Sequence, residues 1–588
     1  MTQIRAERRY MNEKGQENIA SPVPARVWAV ALLLCAVAWS FRTTSFMHAK
    51  ELVLVGALVI ATPLQWHLRC LYTPKQRLLL PLWAGLLFWA VTGAFQAKVH
   101  GYLLESLVRW QLYLTVVWLA VPAFSVPGGK ELLYKSLIGS AWIVAVLALL
   151  QYAGALPFLF PIFPAYTQPA YSVFGNQNLL GGYVALALVL LPLLALHFPG
   201  RTLSSFVYRA TAWLTLLAAV LISGSRSAWL AVFFGLAVFF MSFFRKMQRQ
   251  GIPFCSKARR AGGVSVLVLS LVLILLGMPL LKERIEITFT GNDVGGPARL
   301  WFWAGAREMI RERPFLGVGL GNYTYWSPFY QGKVLWNPGG EGFFRNTLHT
   351  DHAHSEPIEW LAETGVAGCL FWILFLCLVA ARSNPAAPAL LALAFFALLN
   401  NFSHSPPHLL AFLLLALNPE EECTKDELPR KLWIFPAAAL IIVCYLGIIA
   451  VPSVLQCAAE DQMDAGVAPE KAFAAANAWP WQSPSLQESL AAALIQEEKY
   501  QEAKQCLEQA IKGLDSYAVH RLLLYCARTE DATAVYRAAR NCLYRCPDDS
   551  EVWGLLMKNC PPEELAFWQS RYIHFLPPVN NQEGDDAE

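Results

Sequence analysis

Polar and apolar positions along this chain alternate over tens of residues. Apolar stretches at or near the ~20 residues that cross a bilayer as helix recur through the first three quarters and then stop. They fall at 27–41, 52–66, 78–95, 111–124, 137–152, 179–198, 210–223, 228–244, 264–281, 358–381, 387–399, 409–417 and 432–451, the twelfth being short. The short-range alternation of a β-barrel strand is missing, so the pattern predicts an all-α fold: a polytopic transmembrane helical bundle of about 12–13 spans. Two segments break it. Residues 282–356 form a long polar loop, and from 456 to about 572 the pattern becomes that of amphipathic soluble helices.

Charge placement orients the bundle. With the N-terminus inside, the short loops on that side carry 22 Lys or Arg against five on the other, the asymmetry of the positive-inside rule. The basic segment 1–26 then reads as a retained cytoplasmic leader, since the apolar stretch after it has no small-residue cleavage pattern. The transmembrane domain covers 27–453, with the 282–356 loop outside in the periplasm, and 454–588 forms a periplasmic helical domain with an acidic tail. Composition narrows the classes further. Of 588 residues 56% are hydrophobic and 15% charged, and the mean hydropathy is +0.39, which excludes a soluble enzyme or a disordered chain. A net charge of +4 is too small at this length to suggest nucleic acid as a partner.

In the tail, Pro480 lies six residues before Leu486 and Pro547 six before Trp553, 67 residues or about two 34-residue periods apart. With Tyr500, Ala503 and Ala510 along one helix face, this resembles a degenerate tetratricopeptide repeat, which is either a protein docking surface or a small helical cap. Six of the 13 cysteines, Cys457, Cys506, Cys526, Cys542, Cys546 and Cys560, also lie there. In an oxidising compartment disulfides involving Cys542 and Cys546 are expected, with simple core packing as the alternative.

Ionisable residues at membrane boundaries are costly, so they carry the candidate chemistry. Arg226 sits in Ser223-Gly224-Ser225-Arg226-Ser227 between two spans. Arg299 lies in the long loop within Gly296-Pro297-Ala298-Arg299-Leu300-Trp301. His349, His352 and His354 cluster where that loop ends. Each has a plainer reading: an interfacial snorkelling arginine, a solvated loop arginine, a structural histidine. A His-x-His pair without a third ligand at a recognisable spacing is a weak metal signal, so no metal is expected. Gly317-Val318-Gly319-Leu320-Gly321 looks like a nucleotide loop but has Asn322 where the last glycine of that motif belongs, and no phosphate-loop lysine motif exists. An outward-facing enzyme without ATP needs a substrate that arrives activated, such as a lipid diphosphate.

Phe174-Gly175-Asn176-Gln177-Asn178, Ser223-Gly224-Ser225-Arg226, Arg299 with Trp303, Pro314-Phe315-Leu316-Gly317-Val318-Gly319, and Ala353-His354-Ser355-Glu356 running into Leu361-Ala362-Glu363-Thr364-Gly365 occur in an order and topology that resemble the bacterial O-antigen ligase and polymerase family. The resemblance is strongest over about 172–368. Ser355 departs from it, standing where Asn is more usual.

The resemblance implies a GT-C-like multi-span glycosyltransferase of the inner membrane, taking a glycan from undecaprenyl diphosphate to an acceptor hydroxyl on the periplasmic face. It implies no metal or nucleotide cofactor. Arg226 and Arg299 would hold the diphosphate and His354 would serve the acceptor, with Asn176, His352, Glu363 and His404 as candidate supporting residues. The acceptor is lipid A core in a ligase, another lipid-linked glycan in a polymerase, and a protein hydroxyl in a protein O-oligosaccharyltransferase. Membrane lipids surround the bundle, and the tail is a candidate site for a protein partner. Elementary chemistry agrees: Arg offers a permanent two-pronged donor to phosphate oxygens, and imidazole can accept a proton near neutral pH. Two readings from other classes stand beside it: a lipid-linked glycan transporter, which would carry ionisable residues deep within its spans, and an envelope scaffold acting through its tail.

Overall fold

The structure, a computed structural model, describes residues 22–40, 45–67, 79–155, 170–198, 202–250, 295–343, 350–380, 384–419, 431–483 and 485–575, with scattered positions across 271–286. Most of the leader, the loops holding Arg69, Lys75, Arg77 and Arg201, the 251–260 basic stretch, most of the 264–281 span, His349 and the acidic C-terminus lie outside the described residues.

Every long regular element among the described residues is helical. In chain order they are α1 (Val23–Val37), α2 (Phe46–His67), α3 (Leu79–Gln96), α4 (His100–Phe124), α5 (Gly129–Tyr152), α6 (Gln177–His197), α7 (Leu203–Ile222), α8 (Arg226–Gln250), α9 (Gly295–Glu312), α10 (Tyr323–Trp336), α11 (Glu356–Ala380), α12 (Ala387–Ala397), α13 (Pro406–Leu417) and α14 (Lys431–Tyr445). A π turn, Leu446–Ala450, leads into α15 (Val451–Asp464). The tail adds two short helices, α16 (Pro469–Ala472) and α17 (Ala474–Ala478), and then six longer ones: α18 (Leu486–Gln496), α19 (Tyr500–Ala510), α20 (Tyr517–Ala527), α21 (Ala532–Arg545), α22 (Ser550–Asn559) and α23 (Pro562–Phe575). Among the described residues eight helices are long and apolar enough to cross a membrane, so the protein is a multi-pass helical membrane protein.

The chain forms two compact units: residues 1–86, 108–286 and 372–446 in one, and 87–107, 287–371 and 447–588 in the other. The first is a helical bundle around α6, whose residues from Leu180 to Leu191 are all buried. Small residues let its neighbours approach: a Cβ on Gly181 would lie 2.8 Å from Ala228 Cβ and 2.9 Å from Ser225 Cβ.

Two of these helices begin well before the apolar runs that predict them, α2 at Phe46 and α4 at His100. The added turns bury charge. The Lys50 ammonium donates to the carbonyls of Ala36 (3.0 Å) and Ala38 (2.8 Å), where α1 runs out of intrahelical partners. The buried Glu51 carboxylate accepts from the hydroxyls of Tyr113 and Tyr445, with Arg109 Nε at 3.3 Å. Each buried charge therefore has a partner, which is the condition for keeping it in a low-dielectric bundle.

The second unit holds the long loop and the tail. A backbone staple lies at its centre. Val318 and Gly319 donate to the carbonyls of Ala362 and Glu363 at 2.9 and 3.0 Å, and Val366 donates back to Pro314 at 2.8 Å. Both strands of the staple need glycine: Gly317 and Gly365 have φ of +70° and +66°, and a Cβ on either would come within 2.3 Å of the opposing backbone. The staple interrupts α11 at Gly365. The glycine-rich segment that looks like a nucleotide loop is thus a close backbone contact with the helix following His354.

In the tail, consecutive helices pack around two apolar clusters. Ala503, Leu507 and Ala510 lie in one, and Trp553 and Leu556 in the other. Tyr500 packs against the first cluster, so the predicted helix face is the buried one. Trp553 donates its indole N–H to the carbonyl of Pro547, 2.6 Å away. Among the described residues no cysteine is in a disulfide, and Cys542 and Cys546 are both buried.

Candidate functional site

In the second unit, one face of α9 carries Arg299, Phe302 and Trp303, at the i, i+3, i+4 spacing that aligns side chains on a helix. The His354 ring stacks on Phe302, with centroids 5.8 Å apart and planes at 29°. Trp303 donates its indole N–H to the Ala353 carbonyl at 2.9 Å. Glu359, in the first turns of α11, reaches back with both oxygens: one accepts from the Ala353 amide at 2.7 Å and the other lies 3.1 Å from His352 Nδ1. From α10, Thr324 and Ser327 donate to the carbonyls of Asp351 (3.1 Å) and Thr350 (2.8 Å).

These contacts hold His354 at a φ of +51°, a left-handed backbone that a side-chain-bearing residue keeps only when its surroundings over-determine it. Its Nε2 lies 3.3 Å from the Thr350 hydroxyl. Burial, followed by the positive charges of Arg299 and His352, lowers His354 to about 4. It is therefore unprotonated at neutral pH and able to take a proton. Its neighbour behaves oppositely. Burial alone would lower His352, but the charge and hydrogen bond of Glu359 outweigh it and hold His352 up to about 9, with 37% of the side chain still in solvent.

The other candidates divide. Glu363 is buried and accepts from the Tyr323 amide at 3.1 Å, which holds the start of α10. Arg226 belongs to the first unit and is the first residue of α8, half-buried, where the helix dipole adds to its positive charge. A polar chain flanks it: Ser225 donates to Asn178 Oδ1 at 2.9 Å, its hydroxyl lies 3.1 Å from that of Ser227, and Asn400 donates to Ser227 at 2.8 Å. Asn176 caps α6, accepting from the amides of Asn178 and Leu179 at 2.8 and 3.3 Å. His404 is exposed in the turn before α13.

Reading the sequence alone missed Glu359, Thr324 and Ser327, which position the His354 loop, and Asn400 beside Arg226; Asn178 appeared there only as part of a motif. The i, i+3, i+4 grouping on α9 was available in the sequence. The others act through contacts distant along the chain.

Residues 210–373 match the family described as O-antigen ligase. The matched region contains Arg226, Arg299, His354 and both strands of the staple. No curated protein matches the chain. Residues 210–373 of this multi-pass membrane protein are thus similar to the O-antigen ligase family, a similarity that points to a glycosyltransferase-like activity.

Proposed function

We propose that the protein transfers a glycan from undecaprenyl diphosphate to an acceptor hydroxyl on the periplasmic face of the inner membrane, as an O-antigen ligase does, the acceptor being lipid A core, another glycan or a protein hydroxyl. The observation that carries this reading is the His354 loop: an unprotonated imidazole, held in a strained conformation beside Arg299, within the region that matches the ligase family. The outward orientation rests on the 22-to-five distribution of basic residues.

In this mechanism Arg226 and Arg299 bind the diphosphate and stabilise the negative charge that grows on it as the sugar C1–oxygen bond breaks. The acceptor oxygen forms the new bond to C1, and its proton passes to His354. Undecaprenyl diphosphate leaves with the electron pair of the broken bond. No metal or nucleotide is needed, because the donor is already activated.

The electrostatics make a specific prediction for the pH dependence. In the free enzyme Arg299 weakens His354 as a base; a bound diphosphate neutralises that arginine and returns basicity to the imidazole. The acid limb of kcat/KM, which reports the free enzyme, is expected near 4, and the acid limb of kcat is expected at higher pH. His352 is raised from 6.5 to about 9, so the hold of its cation on Glu359 is complete below 6.5 and disappears as pH rises through 9, where both profiles are expected to fall. Rate profiles of the reconstituted enzyme measure this. Coincident acid limbs would argue that the diphosphate does not bind at Arg299.

A further inference from the structure

Helix α10 links the His354 loop to the tail. At its start, Thr324 and Ser327 grip the loop carbonyls of Asp351 and Thr350. At its end, Trp336 is packed into the second apolar cluster of the tail, with ring centroids 4.5 Å from Phe575, 6.2 Å from Trp568 and 6.3 Å from Trp553. Its indole N–H is shared between the carbonyls of Leu543 and Tyr544, each 3.1 Å away. These carbonyls belong to the last turn of α21, where a helix has no internal donors left, so Trp336 caps that helix from another part of the chain.

The seam continues along α10. The Phe329 ring packs tilted against that of Tyr544, with centroids 5.5 Å apart, and Gly332 lies so close to α21 that a Cβ there would be 2.3 Å from the Tyr544 carbonyl oxygen. One helix of 14 residues, with Pro328 in its second turn, is thus pinned at its C-terminal end by the tail and holds the His354 loop near its N-terminal end.

We propose that Trp336 is a positioning residue for glycan transfer. Through it the tail fixes α10, and through Thr324 and Ser327 α10 fixes the strained His354 loop. The part of the tail around α21, α22 and α23 is then an internal brace, its pocket filled by this chain's own tryptophan. The inference rests on the reading of His354 as the proton acceptor, and its test separates the two.

The test compares full-length, reconstituted Trp336→Ala, Trp336→Phe and Leu507→Ala. Leu507 belongs to the other apolar cluster of the tail, so its truncation weakens the tail without removing a contact to α10. Trp336→Ala is expected to speed hydrogen exchange at the His352 and Ala353 amides, which Thr350 and Glu359 hold in the wild type. It is expected to lower kcat by roughly tenfold to a hundredfold, the scale of a misplaced catalytic group, with donor KM unchanged within about twofold. Trp336→Phe, which keeps the ring without the N–H, is expected to recover most of both, and Leu507→Ala to leave the loop protected.

Wild-type exchange at these amides in Trp336→Ala, or equal loosening in Leu507→Ala, would overturn the proposal. A loosened loop with undiminished turnover would support the brace and count against the catalytic reading of His354.

Discussion

His354→Ala is expected to lower glycan transfer by about 10²- to 10⁴-fold, the usual cost of losing a positioned general base, while donor affinity stays within about twofold. The two effects separate because, in the proposed mechanism, proton transfer from the acceptor belongs to the transition state, whereas diphosphate binding falls to the arginines. The substitution should leave the fold intact. The Ala353 carbonyl and amide keep their bonds to Trp303 and Glu359, and what is lost is the ring stacked on Phe302 with its contact to the Thr350 hydroxyl. His352→Ala is expected to be milder. It removes one contact of Glu359 but leaves the carboxylate oxygen that holds Ala353. The measurement is turnover and donor binding on the same reconstituted preparations, with protein level checked; near-normal turnover by His354→Ala would remove it from the mechanism.

Arg299→Ala and Arg226→Ala are expected to behave differently from His354→Ala, weakening donor binding and turnover together. In the proposed mechanism each arginine meets phosphate charge already present in the bound donor, and that charge grows as the bond breaks, so both ground and transition states lose stabilisation. A charge-assisted hydrogen bond contributes about 1.5–3 kcal/mol, so roughly ten- to a hundredfold weaker donor binding is expected for each. Arg→Lys should restore little, because a point ammonium cannot reproduce a planar two-pronged contact. Arg299→Ala carries a second signature. Removing its charge should raise the pKa of His354 in the free enzyme and move the acid limb of kcat/KM toward that of kcat. An alanine variant with unchanged donor affinity would remove that arginine from the diphosphate site.

Much of the fold could be read from the chain because a bilayer imposes a coarse rule, an apolar run of sufficient length, that survives without knowledge of contacts. The same rule misplaced the starts of α2 and α4. An apolar run ends at a charge, whereas a helix continues through Lys50, Glu51 or Arg109 when the bundle supplies carbonyls, hydroxyls and a counter-charge. The staple was visible only as two separate glycine motifs. That Gly317 and Gly365 serve a single contact depends on backbone geometry between positions 48 residues apart.

Of the site, Arg299 and His354 could be named from residue type, spacing and family resemblance. Their surroundings could not: Glu359 looks like an ordinary helix-start acid, and Thr324 and Ser327 like any exposed hydroxyls. The tail shows the same limit. Its helical period could be read, but nothing near Trp336 in sequence indicates that its ring packs against Trp553, Trp568 and Phe575, more than 200 residues further on.

The central claim is chemical: the glycan leaves the lipid diphosphate and becomes attached to the acceptor. The purified protein in liposomes containing undecaprenyl-diphosphate glycan and, in turn, lipid A core, another glycan or a protein acceptor, with a chelator present, tests it most directly when mass spectrometry follows both products. One undecaprenyl diphosphate released for each glycan joined to one of these acceptors is the predicted result. Intact donor that merely crosses to the other leaflet, with no glycosylated acceptor formed, would contradict it and identify the bundle as a transporter.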